Sequence, residues 1–292
     1  MALSIHTNYS SLTTQTSLTK FNNALSTNQQ RLGTGLRVNS AADDAAGLQI
    51  ATRLNAQSRG MAVAIRNTGD ATSMLQTAEG AFNEMTDIVQ RMKDLATQSA
   101  NGTNAQADRD ALQAEYDELG KELANIMTNT SYAGEKLFGL DGATGKFGAA
   151  AVNFQIGATT AEKLELDVTT ASAALGTTLD GLSSNYTTPG TAGTEIATEA
   201  DANTMIDTLA TALDDIGSLR AQFGATINRL NHTSNNLANM KDNTEMAKGR
   251  IMDADFAIES ANMSKNSMLM QSGISMLKQA GQMPGMVMGL LG

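Results

Sequence analysis

Residues 50–96 read IATRLNAQSRGMAVAIRNTGDATSMLQTAEGAFNEMTDIVQRMKDLA, and the spacing of their apolar side chains decides the fold. Ile50, Leu54, Gln57, Met61, Ala64, Thr68, Ala71, Leu75, Ala78, Phe82, Met85, Val89, Met92 and Ala96 follow one another at alternating steps of four and three, and 12 of these 14 positions are apolar. Such steps keep every member on one stripe of an α-helix, so the stretch predicts about seven heptads of unbroken seam. At ~1.5 Å per residue that helix is roughly 75 Å long, more than a compact domain of this size needs. A second stripe, Met74, Ala81, Ile88 and Leu95, flanks the first and predicts contact with more than one partner helix.

On the N-terminal side, Leu18, Phe21, Leu25, Asn28 and Leu32 repeat the pattern up to a break at Gly33-Thr34-Gly35. Ser40 and Asp43 then have capping-box spacing for the start of the long helix. On the other side, Asn101-Gly102 predicts its end. Leu112, Tyr116, Leu119, Leu123 and Ile126 predict a third helix folding back on it.

Over residues 130–200 glycines crowd in, Pro189 appears and helical periodicity fades. Two alternating runs there, Val152, Phe154, Ile156 and Leu164, Leu166, Val168, read as a β-hairpin with one buried face. Helix returns at the Thr198/Asp201 capping pair, with the seam Ile206, Leu209, Leu213, Ile216, Arg220, Phe223, Ile227, Leu230, Ser234 and Leu237. A last amphipathic region, from about Ile251 to Leu291, is interrupted at Pro284. The fold class is mainly α: an elongated helical bundle or coiled coil built from both ends of the chain, with a small β-hairpin region in the middle.

Composition narrows the function. Of 292 residues only 4% are aromatic, Trp is absent and Met is frequent at 17, which suits thin helical layers better than a thick globular core. A net charge of −10 without a Lys/Arg run disfavours a nucleic-acid surface. The lack of cysteine removes disulfides, thiolate metal sites and Cys nucleophiles. His6 and His232 stand far apart without metal-ligand spacing, Asp43-Asp44 sits at a helix start where carboxylates complement the dipole, Asp253-x-Asp255 likewise reads as structural rather than as a metal or acid/base pair, and Gly33-x-Gly35 lacks the rest of a phosphate loop. No catalytic, cofactor-binding or metal site is expected, and no cofactor. Residues 1–11 hold no basic n-region, apolar run or cleavage site, so a cleaved signal peptide is not expected, and no apolar stretch is long enough for membrane insertion.

The two ends carry the functional argument. Residues 1–42 contain no acidic side chain and only Lys20, Arg31 and Arg37 as charges, while residues 266–292 carry Lys278 alone. An apolar stripe with almost no charged face beside it does not sit comfortably in water. An interfacial membrane helix would carry a Lys/Arg-rich polar face, which these ends lack. The expectation is that the ends order when many copies pack them together, against the simpler reading of ordinary helices in a monomeric bundle.

Several stretches resemble bacterial flagellins. They are residues 31–47, RLGTGLRVNSAADDAAG, where the family's Ser-Ser-Gly reads Gly-Thr-Gly, and QTAEGA at 76–81, LATQSAN at 95–101, RIMDADFA at 250–257 and QAGQMP at 279–284 with the closing Leu290-Leu291. The resemblance covers about residues 1–170 and 200–292 and is to a minimal type with a short central region, polar or lateral. It implies a structural subunit that self-assembles into the extracellular flagellar filament for motility; a hook-filament junction or other axial protein is the alternative within the class. A soluble coiled-coil signalling or effector protein would show charged, solvated ends, and an enzyme a convergent polar pocket.

The resemblance further implies an organisation: a filament-core helix and joining loop at 1–44, the two halves of a rod-like helical domain at 45–130 and 200–252, the hairpin and variable loops at 131–199, and a second core helix at 253–292. The self-assembly core falls on Leu18, Phe21, Leu25, Leu32, Ile274, Leu277, Leu290 and Leu291. Implied partners are further copies in a helical homopolymer, a flagellar export chaperone, the filament cap, hook-associated proteins, and a vertebrate Toll-like receptor through Gln90, Arg91, Leu95 and Glu115. Implied export is through the flagellar type III channel, and O-linked modification falls on exposed Ser/Thr of residues 176–194.

Overall fold

The structure, a computed structural model, describes residues 7–190 and 192–291, the side chains of 283, 284 and 286–291 excepted. It is mainly α, with long helices packed on one another and two small two-stranded sheets. In chain order come α1 (Tyr9–Thr34), α2 (Ala45–Ser99), α3 (Gln106–Asn129), β1 (Ser131–Tyr132), β2 (Glu135–Lys136), α4 (Gly145–Gly148), β3 (Val152–Gln155), β4 (Lys163–Leu166), α5 (Thr169–Leu182), α6 (Ser184–Thr187), α7 (Glu199–Met252) and α8 (Phe256–Leu291). These elements form two compact units, Met1–Ser58 with Asp242–Gly292, and Arg59–Lys241.

Helix boundaries follow from how the chain satisfies its end groups. The α1 N-cap is Asn8, whose side chain accepts from the Ser11 amide at 3.0 Å. Its C-cap is Gly35 at φ +72°, a left-handed conformation costly for other residues, with the Gly35 amide returned to Arg31 O at 2.8 Å. The capping box expected at Ser40 and Asp43 instead closes a turn ahead of the helix. Asp43 Oδ2 accepts from the Asn39 and Ser40 amides and the Ser40 hydroxyl, while Asp44 Oδ1 caps α2 through the Gly47 amide at 2.8 Å. Two adjacent carboxylates were available, and the second stands nearer the free amides. Thr198 does cap α7, exchanging bonds with Asp201. The last helical region divides at residues 253–255, where Asp253 pairs with Leu36 in an isolated bridge, and helical backbone runs through Pro284. A proline removes one helix bond without necessarily ending the helix.

In the unit Arg59–Lys241 the long seam is dry. Every seam position from Met61 to Ala96 is buried, including Thr68, whose hydroxyl is satisfied by Ala64 O at 2.7 Å. From α7 the seam adds Leu209, Ile216, Phe223 and Leu230, and from α3 come Tyr116, Leu123 and Met127. Although the chain is poor in aromatics, four of its seven Phe gather here: Phe82 lies 4.9 Å from Phe138 and 5.7 Å from Phe223, and Phe147 lies 5.6 and 5.0 Å from the same two. The expected hairpin is present with one buried face, Val152 opposite Leu166 and Phe154 opposite Leu164, with these four side chains turned into the core.

Residues 130–200 hold more than that hairpin. Helix α5 buries Ser172, Leu175, Gly176, Leu179 and Leu182 on one face. A Cβ on Gly176 would stand 2.4 Å from the Asp141 backbone, so the helix is admitted by close approach to a loop far away in sequence. No local pattern announces that contact. Tyr116 Oη donates to Leu182 O at 3.0 Å, Tyr186 Oη to Leu140 O at 2.8 Å, and Gln113 bridges Asp117, Glu195 and the Ile196 amide, tying the loop after α6 to α3.

Candidate functional site: the terminal helix pair

In the unit formed by both chain ends, α1 and α8 run antiparallel. Asn8 Nδ2 donates to Ala280 O at 2.6 Å, Leu18 lies over Gly273, and Arg31 meets Glu259 at 3.1 Å. Gly273 makes the middle contact feasible, since a Cβ there would lie 2.8 Å from Leu18 Cδ2. Near the joining loop the Arg37 amide donates to Met252 O at 2.6 Å, the Ala254 amide to Gly35 O at 2.9 Å, and the Arg37 guanidinium to Ile251 O at 2.8 Å. Asp255 Oδ1 caps α8 through the Ala257 amide at 2.9 Å.

Among the described residues the pair buries Asn28 and Glu259 together with the small Gly273 and Ala280, and no large apolar side chain. Asn28, which interrupts the apolar seam in sequence, is the buried residue of α1. With its amide nitrogen turned to Glu259 it donates to Glu259 Oε2 at 3.2 Å and to Ala24 O at 3.1 Å, while its oxygen accepts from the Met263 amide and Asn266 Nδ2, each at 3.2 Å. Glu259, 7% exposed, thus accepts from both Arg31 and Asn28. A buried carboxylate needs such partners. Sequence reasoning missed this knot; the polar Asn28 at a seam position was its signal.

Apolar side chains meanwhile face outward. Tyr9, Leu12, Phe256, Ile258, Met268 (65% exposed), Ile274 (45%) and Met276 lie open on α1 and α8. Of the residues expected to form the assembly core, Ile274 is exposed and Leu18, Phe21, Leu25, Leu32 and Leu277 are half-buried. The side chains of Leu290 and Leu291 lie outside the described residues. The seam on α2 behaves alike before Met61: Ile50 and Gln57 are exposed and Leu54 is half-buried.

The four residues of the receptor expectation divide. Arg91 and Glu115 meet across α2 and α3, with Arg91 Nε and Nη2 donating to Glu115 Oε1 at 2.8 and 2.6 Å, and both stay about half exposed. Gln90 is exposed beside them, while Leu95, 1% exposed, belongs to the core. Among the described residues no three His, Cys, Asp or Glu side chains come together as metal ligands, and His6 lies outside that set. No helix among the described residues is long and apolar enough to cross a membrane.

Two carboxyl environments recur. Backbone amides of Ser40 and Asn39 hold the Asp43 carboxyl below the ordinary aspartate range. At Glu195 burial pushes the carboxyl up, but hydrogen bonds from the Ser184 amide and hydroxyl and from Gln113 outweigh it and leave the group below its ordinary value. Both carboxylates are committed to holding backbone in place.

A mainly α structural protein assembled from its N- and C-terminal helical regions is the class these features define. Residues 5–143 match the bacterial flagellin N-terminal helical region, and residues 205–291 match the bacterial flagellin C-terminal helical region. Flagellin A of Vibrio anguillarum is 35% identical and polar flagellin C of Vibrio parahaemolyticus 34% identical, each aligned over the whole of both chains. A crystal structure of Bacillus cereus flagellin, 32% identical, superposes on 59% of this chain and 88% of its own with a TM-score of 0.47. A putative flagellar hook-associated protein from Vibrio parahaemolyticus, 12% identical, covers 72% of this chain and all of its own at a TM-score of 0.57, a likeness of fold alone. The chain belongs to the bacterial flagellin family: it is a structural subunit of the flagellar filament, an extracellular appendage, and not an enzyme. The full-length likeness to flagellins leaves the junction-protein alternative without support.

Proposed function

We propose that Leu18, Phe21, Leu25, Leu32, Ile274 and Leu277, with Leu290 and Leu291, form the surface through which copies of this chain pack into the filament core, and that the terminal helices gain most of their stability there. The observation that carries this is the set of wet apolar side chains on α1 and α8. Covering a Leu, Ile or Met is worth roughly 1.5–3 kcal/mol, while ordering backbone costs about 1–2 kcal/mol per residue. A helix pair that leaves its large apolar side chains half-buried or exposed gains only part of the former alone. In this reading segments 1–44 and 253–292 serve the core, 45–130 and 200–252 the surrounding rod, and 131–199 the outer region.

Sedimentation after heating and cooling tests it. Leu25→Lys and Ile274→Lys are expected to leave the monomer's circular dichroism near wild type and to abolish pelletable fibre; fibres at wild-type yield from both variants would refute the assignment. Family membership further supports unfolded export through the type III channel without a cleaved signal peptide, a chaperone on the C-terminal helices, and cap and hook-associated partners. Pull-down of the C-terminal segment with the chaperone checks that set.

Recognition by a vertebrate Toll-like receptor rests on the exposed Arg91–Glu115 pair with Gln90 alongside, Leu95 acting beneath them by fixing the helix. Arg91→Ala and Glu115→Ala are expected to weaken a receptor reporter signal; an unchanged response contradicts the reading.

A further inference from the structure

The chain contains a single Asn-Gly dipeptide, Asn101-Gly102, in the exposed turn between α2 and α3. Asparagine followed by glycine is open to attack on its own side chain, because no Cβ hinders the approach of the next peptide nitrogen. Here the turn supplies donors at both reacting carbonyls. The Thr103 amide donates to Asn101 Oδ1 at 3.2 Å, which folds the carboxamide back over the following peptide and draws electron density from its carbon. The main-chain oxygen of Asn101 accepts from the Asn104 amide and from Arg109 Nη2, both at 3.2 Å. Arg109 is itself fixed, donating through Nε to Ser99 O and through Nη1 to Asn104 O, each at 3.0 Å.

We propose that this turn promotes its own modification, converting Asn101 to a mixture of aspartate and isoaspartate through a succinimide. The Gly102 backbone nitrogen loses its proton to hydroxide and bonds to the Asn101 side-chain carbonyl carbon. The bond from that carbon to Nδ2 breaks, and the nitrogen leaves as ammonia with a proton from water. One water then opens the ring at either carbonyl, so the net reaction consumes one water and releases one ammonia. The negative charge that forms on the Asn101 main-chain oxygen when Gly102 is deprotonated falls where Arg109 and the Asn104 amide point. The charge that forms on Oδ1 during attack falls on the Thr103 amide. Preorganised donors aimed at developing charge are the general means of lowering such barriers. The product adds a negative charge within reach of Arg109, and the isoaspartyl form lengthens the backbone by one methylene, so a subunit that persists in a filament acquires a mark of its age.

Incubating the purified full-length chain in mildly alkaline, isotopically heavy water and mapping its peptides by mass spectrometry reads the conversion, with isoaspartate detected by enzymatic methylation. The reference is a synthetic peptide of residues 98–104. Conversion in the folded chain is expected to outpace the peptide by about tenfold, and Arg109→Gln and Thr103→Pro each to slow it by about threefold to tenfold, the worth of one hydrogen bond. Circular dichroism selects the variants that remain folded. A rate in the folded chain no greater than in the peptide, or the same rate in every folded variant, overturns the proposal.

Discussion

The two units spend one kind of sequence in opposite ways. In Arg59–Lys241 the heptad seam of α2 enters one core cluster with residues of α3, α5 and α7, and its Leu, Met and Phe side chains are dry. In the unit made from the two ends, apolar side chains on α1 and α8 such as Leu12, Met268 and Ile274 stay exposed, and the buried residues include Asn28 and Glu259 beside Val38, Ala51 and Ala280, with a glycine seat for Leu18. Periodicity specifies where a helix can bury a face; whether it does so within one chain depends on what else that chain brings to it. The first unit has its partners in the same molecule. Among the described residues, the second leaves much of its apolar surface open.

Substitutions that should cost much in one unit and little in the other sharpen this contrast. Phe82→Ala empties the centre of the four-ring cluster and is expected to cost about 3–5 kcal/mol in denaturant unfolding, with the monomer losing helix cooperatively. A loss below 1 kcal/mol would mean the cluster is looser than its spacings imply. Next comes Glu259→Ala, which strands Arg31 and Asn28 and should cost the terminal pair about 1–3 kcal/mol, read as faster amide exchange in α1 and α8 with the Arg59–Lys241 unit unmoved.

Acid is a gentler probe of the larger unit. Because hydrogen bonding holds Glu195 below its ordinary value when folded, its contribution is complete above the ordinary glutamate range and is lost as pH falls through the lower folded value. Asp117 on α3 is the other carboxylate at this junction, joined to the Gly193 amide and Gln113. Glu195→Gln should therefore flatten the acid limb of the stability profile, and an unchanged limb would show that the loop is held by other groups. The smallest effect is expected for Ile274→Ala: within about 0.5 kcal/mol on the monomer, as for an open surface position, yet with a clear fall in fibre yield. Equal losses in monomer and fibre would erase the contrast.

Much of this was legible in the residues. The α2 seam from Met61 to Ala96, the hairpin with its buried face, the break at Gly33-Thr34-Gly35 and the Thr198 cap follow from spacing and backbone chemistry acting locally. What was not legible depends on tertiary contact. Helix α5 does carry Leu175, Leu179 and Leu182 at helical steps, but so short a stripe is masked by the Ala, Thr and Gly around it, and the seat of Gly176 against the loop at Asp141 is set by tertiary contact. The wet start of the seam, Ile50 to Gln57, satisfies the same pattern as its dry end. At the candidate site the charge-poor ends pointed to the exposed apolar faces, whereas the partners of Asn28 lie on α8, more than 200 residues away, and no spacing rule relates them. Leu95 carried two readings, core stripe and receptor contact, and it lies buried in the core cluster.

Amide hydrogen exchange on the monomer and on the assembled fibre compares the two units in one experiment. Slow exchange throughout residues 61–96 in both states, with residues 18–32 and 263–280 exchanging much faster than these in the monomer and reaching their level of protection only in the fibre, is the predicted result. Protection of the terminal helices in the monomer to the level of the α2 seam would contradict the account, since those helices would then need no neighbours to be stable.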